Sequence, residues 1–255
     1  DGDELQQLTR TVNRMLDQIE HLVTGVQDVS NAIAHDLRTP LSELRARLEE
    51  LSVARPAPDE TFVEIDAAID DVDRVMGIFN ALLRLAEIDS GSRRAGFVDV
   101  DLAALGAEVT EFYAPVAELK DIALGFDGPA DLHVVGDPVL LAQALGNMVD
   151  NALKYAPVRG AIAISAQRID ADTVQIIVAD NGPGIPVHER TRVIERFYRV
   201  DASRGTPGVG LGLSVVSAVA RLHGGTLTLD DNHPGLRATL RIGAMTASTS
   251  ASASN

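Results

Sequence analysis

Apolar residues recur at steps of three and four along the first third of this chain, and that spacing restricts it to long helices. The first run reads Leu5, Leu8, Val12, Met15, Ile19, Leu22, Val26, Val29 and Ile33, the seam of a coiled coil or helix bundle. It continues as Leu37, Leu41, Leu44, Leu48 and Leu51, but the steps from Val29 through Ile33 and Leu37 to Leu41 are all four. The heptad is therefore interrupted around residue 35. A second run, Phe62, Ile65, Ile69, Val72, Met76, Phe79, Leu83 and Ala86, repeats the alternation. Between the runs, Pro56 and Pro58 stop the first helix and Asp59 caps the second. The spacing predicts one helix over residues 4–52, bent at Pro40, and another over 61–89, folded into an antiparallel hairpin. A lone hairpin cannot cover both sides of its seams, so two copies are expected to form a four-helix bundle.

His35 lies in the interruption. It is two residues past Ile33, about 200° around a helix that turns roughly 100° per residue. Its ring should therefore face water, with Arg38 and Thr39 on the same face. Asp36 is adjacent and can hold one ring nitrogen, which fixes the tautomer and leaves the other nitrogen free as a nucleophile. Alone, such a histidine is more often an ordinary exposed residue; the remainder of the chain must decide.

The balance of 37 acidic against 22 basic residues, a formal net charge of -15, argues against nucleic-acid binding and against adhesion to an anionic membrane surface. A phosphorylated small ligand stays compatible, because a few local cations or a metal ion offset the background. The chain has no cysteine, hence no disulfide, thiolate site or Cys nucleophile. No apolar run reaches the roughly 18 residues of a membrane span, and the start is not a signal peptide. The first residue is not Met and helical periodicity is under way by Leu5, so the expectation is a fragment whose upstream part is missing.

Residues 90–96 are a polar Gly/Ser/Arg linker, and a different texture follows. Strands are predicted at 97–100, 122–126, 132–135, 161–168, 173–179, 226–229 and 237–242. Helices are predicted at 101–119, capped by Asp101, from Asp137-Pro138 to about Tyr155, and from Leu211 to about His223. The implied architecture is an α/β sandwich, a mixed sheet with helices on one face. Residues 246–255 are low-complexity and read as a disordered tail.

Four stretches of this second part carry more polar chemistry than a core needs. Asn147 and Asn151 stand one turn apart on one helix face with Lys154 beside them. Two amide oxygens so placed suit a hard cation such as Mg²⁺, and the lysine suits a phosphate. Asp180-Asn-Gly182-Pro-Gly184 follows a strand and offers an acceptor plus close backbone approach. Glu195-Arg196-Phe197-Tyr198-Arg199 combines an aromatic anchor with cations. Gly208-Val-Gly210-Leu-Gly212 opens a helix, where free amides bind phosphate; it lacks the βαβ setting of a dinucleotide fingerprint. Singly, each is compatible with a turn or a solvated face. Together, in this order, they describe a nucleotide–Mg²⁺ pocket, and His35 on a separate bundle becomes a plausible phosphoryl acceptor.

These motifs resemble those of bacterial sensor histidine kinases of two-component systems. Residues 34–41, Ala-His-Asp-Leu-Arg-Thr-Pro-Leu, are similar to the H box; 147–155 to the N box; 180–184 to the G1 box; 195–199 to the F box, preceded by Ile194 where an aromatic often stands; and 208–213 to the G2 box. Residues 3–20 resemble the end of a HAMP relay domain. The resemblance implies C-terminal HAMP helix at 1–22, a dimerisation and histidine phosphotransfer hairpin at 23–92, and a catalytic GHKL (Bergerat) ATP-binding domain at 93–245. It implies that His35 is phosphorylated, with Asp36 as its hydrogen-bonding partner and base and Thr39 as the residue that positions water in phosphatase-competent members. It implies that Asn147 and Asn151 hold Mg²⁺, that Lys154 and Arg199 meet phosphates, and that Asp180 accepts from the adenine amino group. Tyr155 would line the base pocket, Gly182 and Gly184 would let the backbone approach the nucleotide, and Gly208, Gly210 and Gly212 would let a lid close on ATP. The implied partners are a second copy and the receiver domain of a response regulator, with no nucleic acid. The implied setting is the cytoplasmic portion of a bacterial inner-membrane protein, anchored through segments upstream. An ATPase switch of the same nucleotide fold and a catalytically silent dimeric scaffold are the competing readings.

Overall fold

Two features position much of the second half of the chain: an aspartate cap at the start of each of its two eighteen-residue helices, and strands whose buried side chains line up across the sheet. The computed structural model describes residues 41–54 apart from 43, 58–89, 96–200 and 210–243. The expectations at His35, Asp36, Thr39 and Gly208, and those for the HAMP segment and the tail, lie outside the described residues. The chain divides into two units, Asp1–Ser90 and Gly91–Asn255.

In the first unit, helix α1 covers the described part of 41–54 and α2 runs Pro58–Asp89. Arg47 Nη1 lies 3.5 Å from Asp71 Oδ2 between the two helices, and Arg45 pairs with Glu49 one turn on. Helix α2 carries two apolar stripes. Ala68, Ile78, Leu82, Leu85 and Ile88 are buried, whereas Phe62, Ile65, Ile69, Val72, Met76, Phe79 and Leu83 are between 37% and 65% exposed. The exposed stripe is the three-four seam read from the sequence. On α1, Leu41, Leu44 and Leu48 line a shallow groove with Arg45, Glu49 and Ser52.

In the second unit, β1 (Val98–Asp101) leads into α3 (Leu102–Leu119), then β2 (Ala123–Asp127), β3 (His133–Gly136), α4 (Pro138–Tyr155), β4 (Ala161–Asp170), β5 (Thr173–Asp180), α5 (Gly212–Leu222), β6 (Thr226–Asp231) and β7 (Leu236–Gly243). Asp101 accepts hydrogen bonds from the amides of Ala103 and Ala104, and Asp137 from those of Val139 and Leu140. Each cap thereby satisfies amides that the first turn leaves without a helical partner. Five strands form one sheet in the order β2-β4-β5-β7-β6, with β2 parallel to β4 and the other pairs antiparallel. The remaining two, β1 and β3, pair only with each other. The sequence pattern implies one mixed sheet; the pairing separates a two-stranded ribbon from it, because pairing joins residues far apart in sequence.

Register aligns the buried side chains in rows. Ile164 of β4 stands opposite Val178 of β5, which stands opposite Ala238 of β7, which stands opposite Leu229 of β6. All four are buried. Helices α3, α4 and α5 pack on this face: α3 against β2 and β4, α4 against β5, and α5 against β6 and β7. Gly225, which turns α5 into β6, faces β7 so closely that an added Cβ would lie inside the Arg241 carbonyl.

Gly225→Ala is therefore expected to destabilise the second unit by about 3 kcal/mol, the upper end of the usual overpacking cost because the clash is with backbone, whereas Asp137→Ala should cost about 1 kcal/mol as a lost cap. Chemical denaturation of the two variants checks the order.

Candidate functional site

Helix α4 presents three buried faces and one wet one. Leu140, Leu141, Ala144, Leu145, Met148, Val149, Ala152 and Leu153 are buried, and the half-buried stripe opposite contains Gln143, Asn147, Asn151 and Lys154. The expected alignment of Asn147 and Asn151 on one face is thus a property of the folded helix. Asn147 Nδ2 approaches the Gly212 carbonyl at 3.5 Å, the limit of a hydrogen bond, and so reaches the first turn of α5. On its other side the stripe reaches α3, where Tyr113 donates a 3.0 Å hydrogen bond to Asp150 Oδ2. Desolvation weakens both partners as acids: it pushes the Asp150 pKa up, against the pull of the Tyr113 hydrogen bond, and it pushes the Tyr113 pKa up together with the Asp150 charge.

At the far end of the chain segment, Lys154 Nζ lies 5.0 Å from the centre of the Tyr155 ring, within cation–π range. The Tyr155 backbone carbonyl faces Gly182, where a Cβ would come within 2.6 Å of it. The N-box and G1-box stretches are thereby brought together through main chain rather than through side chains.

Asp180 ends β5 and is 4% exposed. Its Oδ1 accepts from the amides of Gly182 at 2.8 Å and Leu236 at 3.3 Å. Asn232 Nδ2 donates to the Asp180 carbonyl at 2.8 Å. Both amides bind the same carboxylate oxygen, so Oδ2 is left to accept from something else. Desolvation raises this carboxyl above its ordinary value, with the two backbone amides opposing the rise.

The segment 185–200 is held down by charge. Arg190 donates through Nε to the Ile185 carbonyl and through Nη2 to Asp231 Oδ1 at 2.6 Å, which holds the Asp231 carboxyl below its usual value. Tyr198 donates to Glu189 Oε2, and the Arg192 guanidinium lies 4.2 Å from the centre of the Tyr198 ring. Arg199 is half-buried, and its Cγ would meet a Cβ on Gly210 at 3.2 Å.

The four described glycines of the expected site differ in what demands them. Gly184 and Gly210 have φ of +71° and +78°, a region other residues enter at a cost. Gly182 is confined by the Tyr155 carbonyl and by Asp180. Gly212 is different: it is exposed, and an added Cβ would meet nothing closer than Asn147 Cβ at 3.9 Å. No packing constraint within the described protein requires glycine there. A space that a Cβ would occupy, at the start of an eleven-residue helix and beside Asn147, fits a bound phosphate chain. The donor set fits a Mg²⁺-nucleotide as well: neutral amide oxygens on the stripe and one free carboxylate oxygen at the strand end. Among the described residues, no group of three or more His, Cys, Asp or Glu side chains could hold a metal unaided.

Several site-shaping residues are invisible to motif reading. His223 is 1% exposed; its Nε2 accepts from the Asp137 amide at 3.0 Å, and its ring stacks on Phe97 with centres 4.6 Å apart. Gln143, Tyr113, Asp150, Arg190 and Asp231 are likewise absent from the expected set. Only Gln143 left a signal, by standing four residues before Asn147.

Comparisons with known proteins bear on both units. Residues 136–245 match the family described as histidine kinase-, DNA gyrase B- and HSP90-like ATPase, and residues 26–91 match the His Kinase A (phospho-acceptor) domain. The chain is 36% identical over 240 residues to the sensor protein IrlS of Burkholderia pseudomallei, covering 92% of this chain and 50% of that protein. It is 35% identical over 242 residues to the signal transduction histidine-protein kinase/phosphatase MprB of Mycolicibacterium smegmatis, covering 92% and 48%. The chain thus spans about half the length of these curated relatives. A solved mycobacterial sensor histidine kinase MprB is similar at a TM-score of 0.51 and 31% identity, over 58% of this chain and 97% of that one. Among the described residues, no helix is long and apolar enough to cross a membrane.

The raised Asp180 carboxyl has a signed consequence. As pH rises past the ordinary value near 3.8, the unfolded chain ionises while the folded one holds its proton. Stability then falls until the folded group also ionises. Asp180→Asn, which keeps an oxygen for the two amides, is expected to melt at or above wild type at pH 7 and to lose that advantage near pH 3. Melting curves across that range check it.

Proposed function

The chain belongs to the bacterial sensor histidine kinases of two-component systems, and from that premise we propose that it transfers the γ-phosphoryl group of ATP to His35 and then to an aspartate of a response-regulator receiver domain. The observation that carries this reading is the geometry around α5: Asn147 reaches Gly212 at the helix start, where no packing demands glycine, while Asp180 keeps one carboxylate oxygen free at the neighbouring strand end.

Each group then has a role. Asn147 and Asn151 hold Mg²⁺, and Lys154 and Arg199 meet phosphate oxygens. Asp180 Oδ2 accepts from an exocyclic amino group, the one adenine donor suited to a carboxylate, and Tyr155 lines the base pocket. Gly210 and Gly212, with Gly208, admit the phosphates to the amides of α5. When bound, Mg²⁺ neutralises phosphate charge and fixes the leaving oxygen. Asp36 holds one ring nitrogen of His35 and takes up the proton it releases, so the other nitrogen is bare and attacks phosphorus. The new P–N bond forms as the P–O bond to ADP breaks. Placement and charge stabilisation supply most of the rate in such a transfer. A receiver carboxylate next attacks phosphorus, the P–N bond breaks, and His35 is restored. Thr39 positions water for the reverse function, removal of phosphate from the receiver.

The exposed stripe on α2, where Phe62, Met76 and Phe79 stand among seven large apolar residues, supports homodimerisation through this hairpin. The whole protein is anchored in the membrane through segments outside this chain, with the present portion on the cytoplasmic side.

Incubation with γ-labelled ATP is expected to place an acid-labile, base-stable phosphate on His35, and His35→Gln should abolish the label while leaving ATP affinity intact. Asn151→Ala should weaken Mg²⁺-ATP binding by more than the roughly 10–100-fold that changes to outer-shell residues cost. Label retained by His35→Gln would remove the acceptor assignment, and hydrolysis without any bound label would favour the ATPase switch instead.

A further inference from the structure

Among the described residues, one buried side-chain polar atom lacks a hydrogen-bond partner: Gln143 Oε1. Burying an acceptor without a donor is unfavourable, so a native protein that keeps one has a use for it or a water on it. A leucine would fill similar volume on α4 without that penalty.

The place of Gln143 narrows the use. It stands one turn before Asn147, about 6 Å along the helix axis, on the half-buried stripe that continues to Asn151 and Lys154. Helices α4 and α5 run antiparallel, since Asp137 at the start of α4 meets His223 at the end of α5, and Asn147 meets Gly212 at the start of α5. Along α4, Gln143 therefore lies between these two contacts, one turn from the residue that reaches Gly212.

Chemistry narrows it further. An orphaned carboxamide oxygen needs a donor. Phosphate oxygens at neutral pH and Mg²⁺ itself have none to give. A water on Mg²⁺ has both: its lone pair is engaged by the metal and its hydrogens are polarised outward. Mg²⁺ gives up its waters reluctantly and keeps several when bound through few protein ligands. We propose that Gln143 Oε1 accepts a hydrogen bond from a water in the hydration shell of the metal held by Asn147 and Asn151, making Gln143 a positioning residue for the metal-nucleotide. This rests on the nucleotide reading given above and extends the site by one helical turn.

The test titrates Mg²⁺ into the whole chain with a fixed amount of a non-hydrolysable ATP analogue, for wild type, Gln143→Leu and Gln143→Glu, reading nucleotide affinity and melting temperature. Without nucleotide, Gln143→Leu is expected to melt no lower than wild type, because it removes an unpaired acceptor. It should nevertheless need about tenfold more Mg²⁺ for half-maximal nucleotide binding, the lower end of what outer-shell residues contribute. Gln143→Glu keeps an acceptor and should stay within about twofold of wild type. The proposal is overturned if Gln143→Leu keeps the wild-type Mg²⁺ midpoint. It is overturned equally if both variants melt low without nucleotide, which marks a packing role, or if Gln143→Glu binds more weakly than Gln143→Leu, which marks an amide donating to phosphate. A wild-type chain that shows no Mg²⁺-dependent response overturns the nucleotide reading itself.

Discussion

One buried imidazole sets the relation between the two helices that carry the candidate site. His223 Nδ1 faces the Val219 carbonyl at 2.8 Å and Nε2 faces the Asp137 amide at 3.0 Å. A carbonyl only accepts and an amide N–H only donates, so Nδ1 carries the hydrogen and Nε2 is bare. The ring is thereby fixed at both edges, while Phe97 covers one of its faces. Gly136 lets the ring come close: a Cβ there would sit 2.8 Å from its edge. Asp137 then does two jobs at one position, its amide binding the histidine of α5 and its carboxylate capping α4. With the far ends of the two helices latched, their other ends have a defined meeting point, and that is where Asn147 finds Gly212.

That latch also explains why legibility in the sequence stops where it does. Features set by neighbours in the chain are readable. Asp101 and Asp137-Pro138 announce helix starts, Gly224-Gly225 announces the end of α5, and the helix and strand bounds fall within a few residues of expectation. The alignment of Asn147 with Asn151 follows from helical geometry alone. The separation of β1 and β3 into their own ribbon, the Tyr113–Asp150 bond and the Arg190–Asp231 pair join residues 32 to 41 apart in sequence through contacts that no local pattern encodes. His223 is the sharpest case. From sequence it is the last residue of an amphipathic helix; its hydrogen-bond partner lies 86 residues away.

The glycines show how a correct motif can hold several physical reasons. All were expected to allow close approach of a ligand. Gly184 and Gly210 are required by their backbone angles, and Gly182 by the carbonyl of Tyr155. They shape the site by letting protein meet protein. Gly212 alone among the described four would accept a Cβ in ordinary van der Waals contact, 3.9 Å from Asn147 Cβ, at a φ that is not in the left-handed region. A motif read as a ligand cradle is therefore mostly a folding requirement, with one position left for the ligand.

Asp180 and Gln143 complete the same logic from the polar side. A buried carboxylate is disfavoured by desolvation, and Asp180 is tolerated because two amides and the loop at 232–236 hold it. Those bonds fall on one oxygen, which orients the other. Gln143 Oε1 has no hydrogen-bond partner and is buried all the same. Stability alone would favour tying off both groups or replacing them with carbon. The second unit instead retains an oriented acceptor at the end of β5 and an unsatisfied one on α4, both supported by a core of leucine, isoleucine and valine rows that needs neither. Polar atoms kept ready at the expense of the apo fold are what a site for a charged, hydrated ligand requires, because binding then supplies the hydrogen bonds that folding leaves unmade.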